Sequence, residues 1–462
     1  MVLLDIDTQT IYQIQSITIA FWEWILVFVL LILFTLLSHR KKMIYISREP
    51  EYKYYVWGFY AKFFSTLFFV IVFYYIYKGG DTYAYFSSAM SMANLFYKNP
   101  EHYFYALFHS NTVEAMSNFD FFTGYPYGYL VEDSRTYLVI KLVSFFAIIT
   151  YKSFLISSVL LGYMTYRGSW KLFQLYYRYY PKLSFQMAIS ILFIPSALFY
   201  GSGILKDSFT FMSTCLFTVY FHDVFISKNY KYSTLFFLLI HVLIIFGIKP
   251  YILMILLPGL LIWTGFKRFE KIKNQAIKAL IVPIMMLSVL GFTLIFFSSL
   301  GASMDKFSVD NALATAATTQ NDLKSDYYEG ASFDIGNFDG TPQSALLLFP
   351  AATIAGMFRP FITEASSPLI LLSALENLFL LYLFMRLFLR GSPKRIYQII
   401  ANNPILIFGV LFSLFFAFML GITTSNYGAL TRFKIPMLPF FASTLFIIYY
   451  TLRLPIEKIN RT

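Results

Sequence analysis

Three short runs of this chain carry residues able to do chemistry. The first is Gly79-Gly80-Asp81-Thr82-Tyr83-Ala84-Tyr85, directly after an apolar stretch. Two glycines let the backbone turn sharply at a membrane surface. A carboxylate held in such a turn among aromatic rings is suited to general-base work, so Asp81 is the candidate base. The plainer reading is a turn, or a cap for the helix that follows. The second run is Gly201-Ser202-Gly203-Ile204-Leu205-Lys206-Asp207-Ser208. Here a helix is expected to begin near Lys206. Its free N–H groups and partial positive charge, with the lysine, would make a phosphate seat. Lys206 and Asp207 are adjacent and cannot pair on one helix face, so they are expected to meet different partners. A snorkelling lysine beside a capping Asp is the alternative.

The third run is Asn426-Tyr427-Gly428-Ala429-Leu430-Thr431-Arg432-Phe433-Lys434-Ile435-Pro436. It is expected on the outer side, where Arg432 and Lys434 run against the tendency of cations to stay inside. An anionic ligand would account for them; so would headgroup anchoring. Lys249, in Lys249-Pro250-Tyr251, and Arg359, in Phe358-Arg359-Pro360-Phe361, add two more outer cations, with Glu364 close behind. Arginine suits bidentate contact with phosphate. Glu376-Asn377 lies within an apolar span, where an acid is expected to face a partner in the bundle.

These runs must be positioned by membrane helices. The chain has 462 residues, 58% of them hydrophobic and only 13% charged, too little charge to cover a soluble fold of this length. Repeated apolar stretches of about 20 residues predict an all-α polytopic membrane bundle with about 11 spans. The net charge of +12 would suggest a nucleic-acid partner. Its lysines and arginines instead fall in short alternating loops, as positive-inside topology dictates, so no nucleic acid is expected. No Lys or Arg precedes Arg40, and His39-Arg40-Lys41-Lys42 closes the first apolar span. The N-terminus is therefore expected outside and the basic tail from Arg453 in the cytoplasm. The acidic start carries no cleavable-signal pattern.

One transmembrane domain over 1–462 is expected, with two long outer segments at about 78–153 and 298–366. Within the first, Tyr137–Thr150 reads as an interfacial helix. The span from Phe154 is expected to enter the cytoplasm at Arg167-Gly168-Ser169-Trp170-Lys171. The next is expected over Ser184–Tyr200, and Leu280–Phe297 is the eighth. Ala345–Met357 is too short to cross comfortably. The aspartates from Asp305 to Asp339 read as a solvated loop in preference to a divalent-cation site. The single cysteine, Cys215, excludes an intrachain disulfide and a cysteine-based metal site. With five histidines and no ligand spacing, neither metal nor cofactor is expected.

An acid just after an early span, long outer segments and the closing run Arg432-Phe433-Lys434-Ile435-Pro436-Met437-Leu438-Pro439-Phe440 resemble the GT-C class of integral-membrane glycosyltransferases. The whole chain is also similar to multi-spanning, polymerase-like proteins of bacterial surface-polysaccharide assembly. That resemblance implies a bacterial cytoplasmic-membrane enzyme with an outward-facing site. Its donor would be a polyprenyl-phosphate- or -diphosphate-linked sugar and its acceptor a glycan or protein. Asp81 matches the first-loop acid of the class and Arg432 its late cation. The class commonly carries paired acids, whereas Asp81 stands between Gly and Thr. On this reading Lys206, Asp207, Lys249, Arg359, Arg432 and Lys434 bind the donor and its phosphate. Tyr83, Tyr85 and Glu364 meet the sugars, and Tyr125 and Tyr127 offer further stacking faces. The alternative is a transporter or flippase of a lipid-linked or anionic solute, which predicts charges at mid-membrane and broken helices.

Overall fold

The computed structural model describes residues 16–109, 112–270, 317–320, 322–323, 332–336 and 338–454. Among the described residues the regular secondary structure is helical, apart from one isolated bridge between Ser332 and Asn426. The chain divides into two compact units. The first comprises Met1–Gly168, Leu198–Met212 and Gly247–Lys249; the second comprises Ser169–Ala197, Ser213–Phe246 and Pro250–Thr462.

Among the described residues five helical stretches are long and apolar enough to cross a membrane: Phe21–Tyr45, Pro50–Tyr77, Lys206–Ile226, Pro368–Arg390 and Pro404–Thr423. Two bent pairs raise the number to seven if each is one span: Ser134–Ile149 with Phe154–Tyr179, bent by 113°, and Tyr427–Phe433 with Leu438–Leu452, bent by 70°. The helices are those of a polytopic membrane protein. Tyr232–Ile248 and Pro342–Phe358 are shorter apolar helices, and Pro250–Glu270 is 21 residues long. At 1.5 Å per residue, 17 residues reach about 25 Å, short of a bilayer core of about 30 Å. Ser184–Tyr200 is broken into Ser184–Leu192 and Pro195–Tyr200. Pro195 removes a donor and pushes Ile194 out of the helical region. The expected eighth span, Leu280–Phe297, lies outside the described residues, as do Asp305, Asp310 and Asp326 of the acidic run.

In the first unit, α1 (Phe21–Tyr45) packs on α2 (Tyr55–Ile71), which continues as a π-helical turn, Val72–Tyr77. Phe34 of α1 stacks on Tyr163 at 4.6 Å and meets Phe59 edge-on. The Glu23 carboxylate is buried, accepting from the Ala20 N–H and the Ser153 hydroxyl. The stretch expected as a polar outer loop is mostly helix: α3 (Asp81–Lys98) and α4 (Pro100–Phe108), packed with α5 (Ser134–Ile149). The Asn99 side chain caps α4 ahead of Pro100, and Tyr103 bonds Ser144 across to α5. Their buried rows, among them Phe86, Met90, Ala93, Val139 and Ile140, explain why so aromatic a segment folds. α6 (Phe154–Tyr179) runs on through Arg167–Lys171, where the span is expected to enter the cytoplasm. With no proline before Pro181, nothing in that stretch stops a helix.

The second unit holds α7 (Ser184–Leu192) and α8 (Pro195–Tyr200, which ends in the first unit). α9 (Lys206–Phe221) starts in the first unit and ends in the second. α10 (Tyr232–Ile248) and α11 (Pro250–Glu270) follow. Then come α12 (Pro342–Phe358), α13 (Pro368–Arg390), α14 (Pro393–Ala401), α15 (Pro404–Thr423), α16 (Tyr427–Phe433) and α17 (Leu438–Leu452). Four of these starts share one rule. Thr341, Ser367, Ser392 and Asn403 each precede a proline and accept a backbone N–H of the first turn. Phe408 and Phe412 of α15 meet each other and Phe440, and Phe412 also meets Phe416, forming the aromatic core between α15 and α17.

Candidate functional site

The first unit gathers four of the expected residues, Asp81, Lys206, Asp207 and Lys249, and adds a fifth charge, Asp133. Each carboxylate sits at a helix N-terminus. Asp81 is the first residue of α3, entered through Gly80 at φ +86°. That conformation is in the left-handed region, which only glycine adopts freely. Asp133 caps α5, accepting from the N–H groups of Arg135 and Thr136. Asp207 is the second residue of α9. The positive end of each helix dipole favours these anions.

Two lysines run among them. The Lys206 ammonium donates to Asp133 Oδ2 at 3.1 Å and to the Thr136 hydroxyl, which itself donates to Asp133. Asp81 and Lys249 are further charges within its electrostatic reach. Lys249, at the tip between α10 and α11, donates to Asp207 Oδ1 at 2.5 Å. That pair is buried: 11% of the lysine side chain and 2% of the aspartate side chain are exposed. The expectation that Lys206 and Asp207 take different partners is met, both partners being protein groups. Burial alone would raise the Asp133 carboxyl; the Thr136 hydroxyl and the Lys206 charge outweigh it and hold the group at about 2.

The turn that presents Lys206 is held from α2. A Cβ on Gly203 would lie 2.0 Å from the Phe69 ring, so only glycine allows this approach. The Ser208 hydroxyl donates to the carbonyls of Tyr200 and Gly203 and closes the turn. Lys62 of α2 is buried beneath it, donating to the Leu198 carbonyl at 3.3 Å with its ammonium 5.5 Å from the Phe211 ring.

Of the sugar-facing candidates, Tyr85 is buried in α3, which leaves no open ring face there. Tyr83 packs between Tyr74, at 6.2 Å, and Phe154, at 5.7 Å. Burial, then the neighbouring Tyr74 and Tyr75, push its hydroxyl up to about 12. Tyr125 is exposed, and Tyr127 donates its backbone N–H to Ser88.

The remaining candidates lie in the second unit. Arg359 Nε is 3.4 Å from Glu364 Oε1, with the guanidinium 4.9 Å from the Phe333 ring and 5.9 Å from Phe361. Glu364 also accepts the Phe361 N–H. Lys434 is fully buried; its ammonium donates to the Arg359 carbonyl at 2.7 Å and to Asn377 Oδ1 at 2.8 Å. Asn377 in turn donates to the Pro360 carbonyl. The lysine expected to bind phosphate thus donates to two neutral acceptors, which tie α16 and the 359–360 link to α13, with the Glu376 carboxylate within electrostatic reach. Glu376, on α13, accepts the Ser196 N–H at the start of α8, the structural role expected of an acid within a span. The Arg432 guanidinium is 5.0 Å from the Phe433 ring.

Sequence reasoning missed Asp133 and Thr136. The pattern Asp133-Ser134-Arg135-Thr136 ahead of an apolar run is a helix-start signal and marks the position. Among the described residues no group of three or more His, Cys, Asp or Glu side chains is placed to hold a metal ion. Comparison of the chain with protein-family models, curated proteins and solved structures finds no match.

Proposed function

We propose that the chain is a membrane glycosyltransferase acting in surface-polysaccharide or glycoconjugate assembly. Its donor is a polyprenyl-phosphate- or -diphosphate-linked sugar, and its site faces outward from a bacterial cytoplasmic membrane. The observation that carries this reading is the gathering of Asp81, Asp133, Lys206 and Asp207 at three helix N-termini of one unit, with Lys249 bonded to Asp207. Asp81 takes the proton of an acceptor hydroxyl. The oxygen attacks the anomeric carbon from the face opposite the leaving phosphate, so the configuration inverts. The bond from that carbon to the phosphate oxygen breaks, and the phosphate leaves with the electron pair. Lys206 meets the developing charge, and Asp133 and Thr136 fix its direction. Buried Lys249, neutralised by Asp207, braces the start of α9 instead of touching the donor. In this reading Arg359, Glu364 and Lys434 hold the second unit together.

A transporter or flippase of a lipid-linked or anionic solute is the second reading. It is favoured by buried Lys62 in α2, Glu376 in α13 and the two sharply bent helix pairs. Organic extraction of the purified protein, followed by mass analysis for polyprenyl phosphates, tests the first reading. Wild type is expected to carry one, and Lys206→Ala to lose it. Ordinary phospholipids alone in both extracts would remove the donor assignment. Sugar-lipid movement across proteoliposomes without any transfer product would establish the transport reading instead.

A further inference from the structure

A second basic cluster lies in the second unit, apart from every residue used above. Arg386 and Arg390 are four residues apart in the last turns of α13. Tyr449 and Arg453 are four apart at the end of α17. That spacing sets each pair on one helix face. The two faces converge: the guanidinium carbons of Arg386, Arg390 and Arg453 lie 5.2, 5.0 and 4.5 Å from the centre of the Tyr449 ring. Arg386 donates to the Tyr382 hydroxyl at 2.9 Å and Arg453 to the Tyr449 hydroxyl at 2.7 Å. Among the described residues no carboxylate comes within ion-pair distance of any of the three.

Helix dipoles favour cations in last turns, which explains why arginines are there. It does not explain three of them on one ring. Cation–π contact returns roughly 0.5–1 kcal/mol per exposed pair. Against this stand three like charges separated by roughly a Debye length or less. An anion between the guanidinium groups resolves the repulsion, and their forked donors match phosphate oxygens. Arg390 and Arg453 are exposed and Arg386 is half-buried, so the cluster is open to a ligand. The neighbouring surface of α13 shows what the ligand carries besides its charge. Leu378, Phe379, Met385, Phe388 and Leu389 are exposed along this spanning helix, an apolar face suited to acyl chains.

We propose that Arg386, Arg390 and Arg453, gathered on Tyr449, bind the phosphate of an anionic phospholipid headgroup, with its acyl chains lying along α13. The site is independent of the glycosyl-transfer reading. The probes are phosphatidylglycerol, phosphatidylcholine and inorganic phosphate, titrated onto the purified full-length chain in detergent and followed by native mass spectrometry. Wild type is expected to bind phosphatidylglycerol in preference to phosphatidylcholine. The triple variant Arg386→Gln/Arg390→Gln/Arg453→Gln is expected to lose about a hundredfold of that affinity, with phosphatidylcholine binding unchanged. Arg390→Gln alone, at an exposed position, is expected to lose about fivefold and serves if the triple variant does not fold. Equal phosphatidylglycerol affinity in wild type and variants would overturn the proposal. Displacement of the lipid by low millimolar inorganic phosphate would also overturn it, by assigning the arginines to a free anion.

Discussion

Two buried lysines, Lys249 in the first unit and Lys434 in the second, are held by different means. In the first, Lys249 meets the Asp207 carboxylate, and both side chains are withdrawn from solvent. In the second, Lys434 is fully buried and donates to two neutral oxygens, the Arg359 carbonyl and the Asn377 amide. A charge met by a charge leaves a charge behind when one partner goes. Lys434 donates to neutral groups, and the Glu376 carboxylate balances its charge through space without a direct bond. The first arrangement therefore concentrates electrostatic energy where donor chemistry is proposed. The second uses a lysine as a three-way tie between α16, the 359–360 link and α13.

Breaking the first arrangement should have the largest effect. Asp207→Ala strands the Lys249 ammonium in a buried position, and removing one partner of a buried pair costs about 3–5 kcal/mol. Thermal unfolding in detergent should show it, with much of the loss recovered in Asp207→Ala/Lys249→Met. A double variant no better than the single one would mean that the pair is not the source. Lys434→Met should cost less, about 1–3 kcal/mol, since it leaves neutral acceptors unmet and Glu376 without a nearby cation but still bonded by the Ser196 N–H. A loss as large as that of Asp207→Ala would erase the distinction between the units.

Acid sharpens the comparison further. Asp133 has its folded value, about 2, below the ordinary 3.8. Its contribution is therefore present above about pH 4 and is lost as pH falls toward 2. The Asp133 side chain is 43% exposed, so the effect is modest. Melting curves across that window should fall more steeply for wild type than for Asp133→Asn; parallel curves would show that the Lys206–Thr136–Asp133 bonds do not hold the carboxylate down. The smallest effect is expected at Arg359→Lys. It keeps the charge near Glu364 but loses the planar stack on Phe333, worth about 0.5–1 kcal/mol.

Much of the first-unit cluster was legible because its residues break local rules. Charges beside glycines at the end of an apolar run, as at Asp81 and at Lys206-Asp207, stand out in one dimension. The tip at Lys249 was legible from the proline after it. Asp133 was not, because its only signal is an ordinary helix start; its role comes from Lys206, 73 residues away. The same limit hid the fate of Lys434. A lysine before Ile-Pro reads as an anchored cation, and nothing local says that Asn377, 57 residues away, receives it. The membrane class followed from composition. The breaks within the spans did not, because hydropathy sees apolar length and not the interruption before Pro195 or the sharp turns before Phe154 and Leu438.

The central claim is that Asp81 serves as a base beside a phosphate-holding lysine. The most direct test is the initial rate of sugar transfer by reconstituted protein from a panel of polyprenyl-phosphate- and polyprenyl-diphosphate-linked sugars, for wild type and Asp81→Asn. The account predicts transfer by wild type with inversion, and a loss of about 10²–10⁴-fold in Asp81→Asn. Full activity in Asp81→Asn would contradict it.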